Sequence, residues 1–138
     1  MILYLDTSAW LKLYVDERGT QEVIAAVQSA ELVAISRIAY AEARAALARV
    51  LREKRTTRAE HHRRVSALDA DYTEILKVEV SEEVVRQAGG LAESHALRGF
   101  DAIQLASAGW LARKARKQVR LLAFDARLNE AAQALGLA

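Results

Sequence analysis

The sequence predicts a three-layer α/β/α domain with a short, mainly parallel central sheet. Brief apolar runs alternate with longer segments of helical periodicity, and strands separated by helices usually pair in parallel. The absence of proline favours helices, and the absence of cysteine excludes disulfide scaffolds and thiolate metal sites. No linker or repeat interrupts the 138 residues, so we expect one domain over residues 1–138.

The first half of the chain contains two predicted strands and four predicted helices. The apolar run Ile2–Leu5 is followed by Asp6–Ser8, a segment of residue types that cap helix N-termini. Thr20 is a candidate cap for the second helix, and Thr57 with Glu60 has the spacing of a capping box. The predicted elements are strands at 2–5 and 32–35, and helices at 7–14, 20–29, 38–54 and 57–71.

The second half contains two predicted strands and three predicted helices. Ser81 is a good helix start, a turn is expected at 98–100, and Asp101 and Asp125 each open a helix. The predicted elements are strands at 75–80 and 119–124, and helices at 81–97, 101–111 and 125–135.

Four carboxylates are candidates for a catalytic and metal-binding site. Asp6 and Asp125 directly follow predicted strands, and Asp101 opens a helix in apolar surroundings. The carboxyl ends of parallel strands share one edge of a sheet, where ligands bind, so these aspartates can converge. Glu42 lies among alanines at the edge of a helix's apolar face, where its side chain can reach the same cleft.

Each acid taken alone is more simply explained as a helix cap or a solvated residue. Four carboxylates in one cleft would repel one another unless a cation neutralised them, and all-oxygen ligation is the preference of Mg²⁺ or Mn²⁺. Such ions support the hydrolysis of phosphodiesters. Other acidic-site enzymes fit less well: Ser8 stands where a dehalogenase-type phosphatase needs a second aspartate, and no Gly-rich phosphate loop is present.

Basic residues gather in two stretches, although the net charge is only +2. One stretch runs from Arg44 to Arg64, and the other lies between residues 113 and 120. Two explanations are open, a pair of solvated helix faces or a surface that binds phosphates, with the first stretch alternatively forming part of a partner surface. The candidate RNA-binding residues are Arg44, Arg49, Arg52 and Arg55.

Four segments carry a family resemblance over essentially the whole chain. They are Leu3-Tyr4-Leu5-Asp6-Thr7-Ser8-Ala9, Ala41-Glu42, Arg98-Gly99-Phe100-Asp101-Ala102-Ile103-Gln104-Leu105-Ala106 and Phe124-Asp125-Ala126-Arg127-Leu128. With this order and spacing the sequence resembles the PIN-domain ribonucleases and, within them, the VapC toxins of toxin–antitoxin pairs. The resemblance implies a PIN-like fold and a Mg²⁺- or Mn²⁺-dependent endoribonuclease that is neutralised by a small VapB-like antitoxin.

The resemblance also assigns roles to individual residues. Asp6 and Asp101 would be the principal metal ligands, Glu42 and Asp125 would complete the catalytic site directly or through water, and Ser8 would support Asp6. Many relatives carry Thr or Ser where this chain has Ala123, which removes a possible hydrogen bond near Asp125.

The resemblance also implies a homodimer. Because no apolar run approaches the length of a membrane span, we expect a cytoplasmic protein with no membrane association. Two alternative functions stay open. One is a PIN-like module that binds RNA or protein without catalysis, and the other is an RNA-processing PIN nuclease outside toxin–antitoxin systems.

Overall fold

The computed structural model describes all 138 residues and contains four strands and seven helices. No helix is both long and apolar enough to cross a membrane. In chain order the elements are β1 (Ile2–Leu5), α1 (Thr7–Leu11), α2 (Thr20–Ser29), β2 (Leu32–Ser36), α3 (Ala39–Arg52), α4 (Arg58–Glu74), β3 (Leu76–Val78), α5 (Glu82–His95), α6 (Gly99–Ala115), β4 (Val119–Leu122) and α7 (Ala126–Ala134).

The four strands form one sheet in the order β3-β2-β1-β4, and every neighbouring pair is parallel. The predicted α/β class is therefore confirmed, with a sheet that is entirely parallel. β1 is central and buried along its whole length. Because each connection between parallel strands passes through helices, all four strands end at the same edge of the sheet.

Two apolar cores lie on opposite faces of the sheet and give the fold its three layers. Side chains alternate along β1, so that Ile2 and Tyr4 join one core while Leu3 and Leu5 join the other. Helices α5, α6 and α7 cover the first face, and helices α1 to α4 cover the second. β1 ends at Leu5, so the next residue, Asp6, lies at the carboxyl edge of the sheet.

Four helix starts agree with the sequence prediction. Side chains of Asp6, Thr57, Ser81 and Asp125 each accept a hydrogen bond from a backbone N–H in the first turn of the helix that follows. These contacts satisfy N–H groups that would otherwise have no partner at a helix end.

Two predicted caps are wrong. Thr20 lies inside α2, which begins after Gly19, and the Thr20 hydroxyl instead donates to the Lys12 carbonyl at 3.0 Å. The expected turn at 98–100 is helical from Gly99 onward, so Asp101 lies in the first turn of α6 and does not cap it.

Several predicted boundaries also shift, and α4 and α6 extend to Glu74 and Ala115, three and four residues beyond their predicted ends. The first helix ends at Leu11 instead of continuing to Tyr14, and β3 covers only Leu76–Val78. β3 is an edge strand whose first residue, Leu76, is exposed. It pairs only with β2, and over only part of the predicted apolar run. The last strand ends at Leu122, which leaves Phe124 in the loop before α7.

Gly19 is required where the chain turns into α2. Its φ of 96° is in the left-handed region, and a Cβ placed there would lie 2.7 Å from Cε1 of Phe124. We expect Gly19→Ala to lower the free energy of unfolding by about 1–3 kcal/mol, measured by urea denaturation. Gly90→Ala is the control, since its Cβ meets open space inside α5 and should raise stability by about 0.5–1 kcal/mol. Equal effects at the two positions would contradict this account.

Candidate active site

A cleft opens at the carboxyl edge of the sheet and contains all four predicted carboxylates. Its volume is about 490 Å³. The acids come from four different places in the chain. Asp6 directly follows β1, Asp125 caps α7 after β4, and Glu42 and Asp101 lie in the first turns of α3 and α6. The cleft is lined by Asp6, Thr7, Ser8, Leu11, Glu42, Ala46, Arg98, Phe100, Asp101, Gln104, Phe124 and Asp125.

Asp6 is the most buried of the four acids, with 6% of its surface exposed. Its Oδ1 accepts a hydrogen bond from the Ala9 N–H at 2.8 Å, and the Ser8 hydroxyl donates to both carboxylate oxygens at 2.9 and 3.0 Å. Burial raises the pKa of Asp6, and the charges of Asp101 and Glu42 raise it further, while the two hydrogen-bond donors oppose the rise. The raised pKa of Asp6 thus reflects mainly the burial of its carboxylate, and the two neighbouring acids add a smaller part.

Glu42 is half-buried in the first turn of α3 and reaches across to α1. Its Oε1 accepts a hydrogen bond from the Thr7 hydroxyl at 2.6 Å and another from Nε2 of Gln104 at 3.4 Å. One carboxylate oxygen is therefore held by two side chains from other elements.

Asp101 and Asp125 have different local partners. Asp101 Oδ2 stands 3.2 Å from Nε of Arg98, a side chain that is 82% exposed. Asp125 caps α7 through a hydrogen bond of 2.9 Å from the Leu128 N–H to Oδ1. Ala123, two residues before, is buried and offers no side-chain donor to Asp125.

Sequence reasoning did not single out Gln104, Thr7 or Tyr4 as site residues. Gln104 is 3% exposed and its amide connects the Tyr4 hydroxyl to Thr7 and Glu42. A signal was present, because Gln104 is the one polar residue in the apolar run between Ala102 and Ala106. A buried amide needs partners, and these partners lie on other elements.

The chemistry of the cleft fits a hard divalent cation. All four acids supply oxygen donors, and no histidine or cysteine lines the cleft. The side chains as placed do not gather around one point, and no three His, Cys, Asp or Glu groups stand within common reach of an ion. Asp101 is turned to Arg98 and Glu42 to Thr7, so ion binding would require Asp101 to exchange partners.

A second groove adjoins the acidic cleft and is lined by arginines. This arginine groove, of about 660 Å³, shares Leu11 and Ala46 with the cleft. Arg64 Nε lies 3.6 Å from Glu60, beyond hydrogen-bond distance, and has no other acceptor. The groove's basic residues are Arg49, Arg52, Arg55 and Arg64, and its acidic ones are Asp16 and Glu17.

Three of the four predicted RNA-binding residues lie in this groove, and Arg44 does not. The Arg44 guanidinium donates to the Tyr40 hydroxyl at 2.6 Å, outside the groove lining. The other basic stretch lies at the C-terminal end of α6 and the start of β4, at the opposite edge of the sheet from the cleft. That stretch therefore cannot contact a substrate segment held among the carboxylates.

Solved structures share this fold at low sequence identity. The Mycobacterium tuberculosis toxin VapC20, described as cleaving the sarcin–ricin loop, matches with a TM-score of 0.70 and 21% identity over 99% of this chain and 96% of its own. FitAcB from Neisseria gonorrhoeae matches with a TM-score of 0.66 and 21% identity over 96% and 94%. A toxin–antitoxin complex from Klebsiella pneumoniae matches with a TM-score of 0.63 and 18% identity over 89% and 86%.

Sequence comparison identifies the family. The model of the PIN domain matches residues 3–134. Ribonucleases VapC45 and VapC49, from two strains of Mycobacterium tuberculosis, are each 37% identical over 107 residues, which is 78% of this chain and 74% of theirs. The matched segment of the family model contains all four cleft carboxylates, and the relatives share more than a third of the aligned residues. The chain therefore belongs to the PIN-domain family, with the VapC ribonucleases among its relatives.

Proposed function

We propose that this chain, as a single PIN domain over residues 1–138, is a Mg²⁺- or Mn²⁺-dependent endoribonuclease and the toxin of a toxin–antitoxin pair. One observation carries the proposal: four carboxylates from four separate elements line one cleft, where their charges repel one another. Such mutual repulsion is tolerated where a cation is to be bound. The ribonuclease names of its relatives supply the reaction class.

In this proposal side chains of the protein itself hold the ion in place. Asp6 and Asp101 are the principal ligands, and Glu42 and Asp125 complete the site. Ser8 holds the Asp6 carboxylate through its hydroxyl. When bound, the ion would polarise the RNA phosphate and supply hydroxide from water at neutral pH. Phe100, which is exposed at the cleft, offers a ring face to an unstacked base, whereas the ammonium of Lys12 lies over the ring of Phe124.

The arginine groove is proposed to hold the RNA strand beside the scissile phosphate. Arg49 and Arg55 share Glu53 as ion-pair partner, whereas Arg52 makes no ion pair. Guanidinium groups bind phosphate oxygens through paired hydrogen bonds, and the groove continues directly from the cleft. A strand leaving the carboxylates would therefore meet four guanidinium groups in a groove that has two acidic residues, Asp16 and Glu17.

The proposal includes two protein partners. A structural neighbour described as a toxin–antitoxin complex supports a small VapB-like antitoxin that covers the cleft. A homodimer is proposed on the family resemblance alone. Co-expression with the reading frame next to this gene, followed by copurification and mass measurement, tests both, and a lone monomer would contradict them.

A direct experiment tests the catalytic proposal. The purified protein should cleave RNA with Mn²⁺ or Mg²⁺, lose the activity in EDTA, and melt at higher temperature when Mn²⁺ is added. RNA binding without cleavage at any divalent concentration would favour the non-catalytic module instead. Cleavage without an antitoxin gene nearby would favour an RNA-processing nuclease.

Substitution of groove arginines should separate RNA binding from chemistry. We expect Arg49→Gln with Arg52→Gln to raise the KM for a long RNA roughly tenfold at low salt, because two phosphate contacts are lost. The slope of log affinity against log salt should fall by about 0.7 per contact. Cleavage of a dinucleotide, which is too short to enter the groove, should be unchanged.

Arg113→Gln with Lys114→Gln is the matched control, since it also removes two exposed positive charges, near the far end of α6 and about 18 Å or more along the helix from Asp101. Its KM for the long RNA should equal that of the wild-type protein. If both sets of substitutions raised the KM equally, the effect would reflect net charge, and the groove would have no particular role.

A further inference from the structure

A chain of buried polar groups runs from the core of the fold to the acidic cleft. Gln104 lies on α6 one turn beyond Asp101 and is almost completely buried. Its Oε1 accepts a hydrogen bond of 2.7 Å from the hydroxyl of Tyr4, a residue of β1 with no exposed surface. The end of this series of polar groups that is farther from the cleft therefore lies in β1, which is buried along its whole length.

The other end of the Gln104 amide faces Glu42. Nε2 stands 3.3 Å from Oγ1 of Thr7 and 3.4 Å from Oε1 of Glu42, and the Thr7 hydroxyl donates to that same carboxylate oxygen at 2.6 Å. Both side-chain donors thus converge on Oε1. The second oxygen, Oε2, accepts no hydrogen bond from the chain.

The Glu42 carboxylate determines which way the Gln104 amide points. A carboxylate only accepts hydrogen bonds, so the amino end of the amide must face Glu42. The carbonyl end then faces Tyr4, whose hydroxyl is protonated at neutral pH and donates. With the amide reversed, its oxygen would face the Glu42 carboxylate and two hydrogen bonds would be lost.

We propose that Gln104 is a positioning residue that, with Thr7, ties one oxygen of Glu42 and leaves the other free for the ion, and that the Tyr4 hydroxyl anchors the carbonyl end of the Gln104 amide. The inference rests on the proposed function, because it concerns the ion of that site. Gln104 acts through Glu42 and contacts neither substrate nor ion. Partners of this kind orient metal ligands and tune affinity.

Mn²⁺ binding measured by titration calorimetry on the folded protein tests the inference without relying on activity. We expect Gln104→Leu to weaken Mn²⁺ affinity about 10–100-fold, because Glu42 then keeps only the Thr7 hydroxyl as a side-chain donor and is less well oriented. Tyr4→Phe removes a single oxygen and should weaken affinity by a smaller factor. Tyr14→Phe is the matched control, since the Tyr14 hydroxyl bonds to Asp71, away from the cleft, and its Mn²⁺ affinity should be that of the wild-type protein.

A double-mutant cycle with Glu42→Gln shows whether Gln104 acts through Glu42. Gln104→Leu should lower Mn²⁺ affinity in the wild-type background and have no further effect beside Glu42→Gln. At saturating Mn²⁺, the KM for RNA should be unchanged, because the arginine groove is intact.

Three results would overturn the inference. Wild-type Mn²⁺ affinity in both Gln104→Leu and Tyr4→Phe, even with a lower melting temperature, would make Gln104 a core amide only. An equal loss in both backgrounds of the cycle would exclude Glu42 as its target. Absence of Mn²⁺ binding in the wild-type protein would contradict the proposed function as well, which distinguishes the two failures. If Gln104→Leu does not fold, Tyr4→Phe, which keeps the ring in the core, decides the question.

Discussion

Asp6→Asn should abolish metal-dependent RNA cleavage, with kcat falling by about 10³-fold or more, while the protein stays folded. The charge of Asp6 is required to hold the ion, but asparagine caps helices as well as aspartate does, so α1 keeps its first-turn hydrogen bond from Ala9. The measurement is cleavage of RNA in saturating Mn²⁺. Full activity in the purified variant would contradict the proposed mechanism.

The same substitution should stabilise the protein in EDTA. Burial raises the pKa of Asp6, so the folded state binds its proton more tightly than the unfolded chain does, and ionisation lowers stability as the pH rises. The melting temperature of Asp6→Asn should therefore exceed that of the wild-type protein at neutral pH. This difference should shrink as the pH falls and vanish well below about 4, where Asp6 is protonated in both the folded and the unfolded state. A lower melting temperature at neutral pH would contradict this account.

Asp101→Asn should also abolish cleavage, by about 10³-fold or more, but without a change in stability. Asp101 is partly exposed and does not cap α6, and its one ion pair is with the exposed Arg98. Exposed pairs of this kind contribute about 0–1 kcal/mol. Thermal denaturation in EDTA and cleavage in Mn²⁺ measure the two effects on the same sample.

Glu82→Gln is the control for Asp101→Asn. Glu82 also lies in the first turn of a helix and also pairs with an exposed arginine, Arg86, but it lies outside the cleft. Its cleavage rate should be that of the wild-type protein. Retained cleavage in Asp101→Asn, or a comparable loss in Glu82→Gln, would remove Asp101 from the proposed ligands.

The sequence was informative wherever one local pattern decides the structure. Ile2–Leu5 is an apolar run ended by a capping residue, which sufficed to place β1, α1 and Asp6 at the edge of the sheet. Asp6 directly follows β1, and Asp125 lies shortly after the end of β4. The parallel topology therefore brings both residues to the same edge of the sheet. The catalytic roles of these acids stay predictions.

The remaining features depend on packing between distant parts of the chain. Thr20 has the residue type of a cap, but its hydroxyl bonds to carbonyls of the preceding loop, because Gly19 takes the left-handed turn. Gln104 has its partners on β1, α1 and α3, none of which is close in sequence. Arg44 and Arg49 both lie on α3 among alanines, and the sequence does not distinguish them. In the structure Arg44 donates to Tyr40, whereas Arg49 lines the arginine groove.

The parallel sheet has an electrostatic consequence for the acidic cleft. β1 and β4 end at this edge and lead into α1 and α7, and the first turn of α6 lines the same cleft, so Asp6, Asp101 and Asp125 lie at or within the first turns of three helices. Each helix start presents unpaired N–H groups and a partial positive charge of up to about half an elementary charge. The fold thus surrounds its carboxylates with backbone dipoles of opposite sign, which offset part of the repulsion among the acids in the metal-free protein.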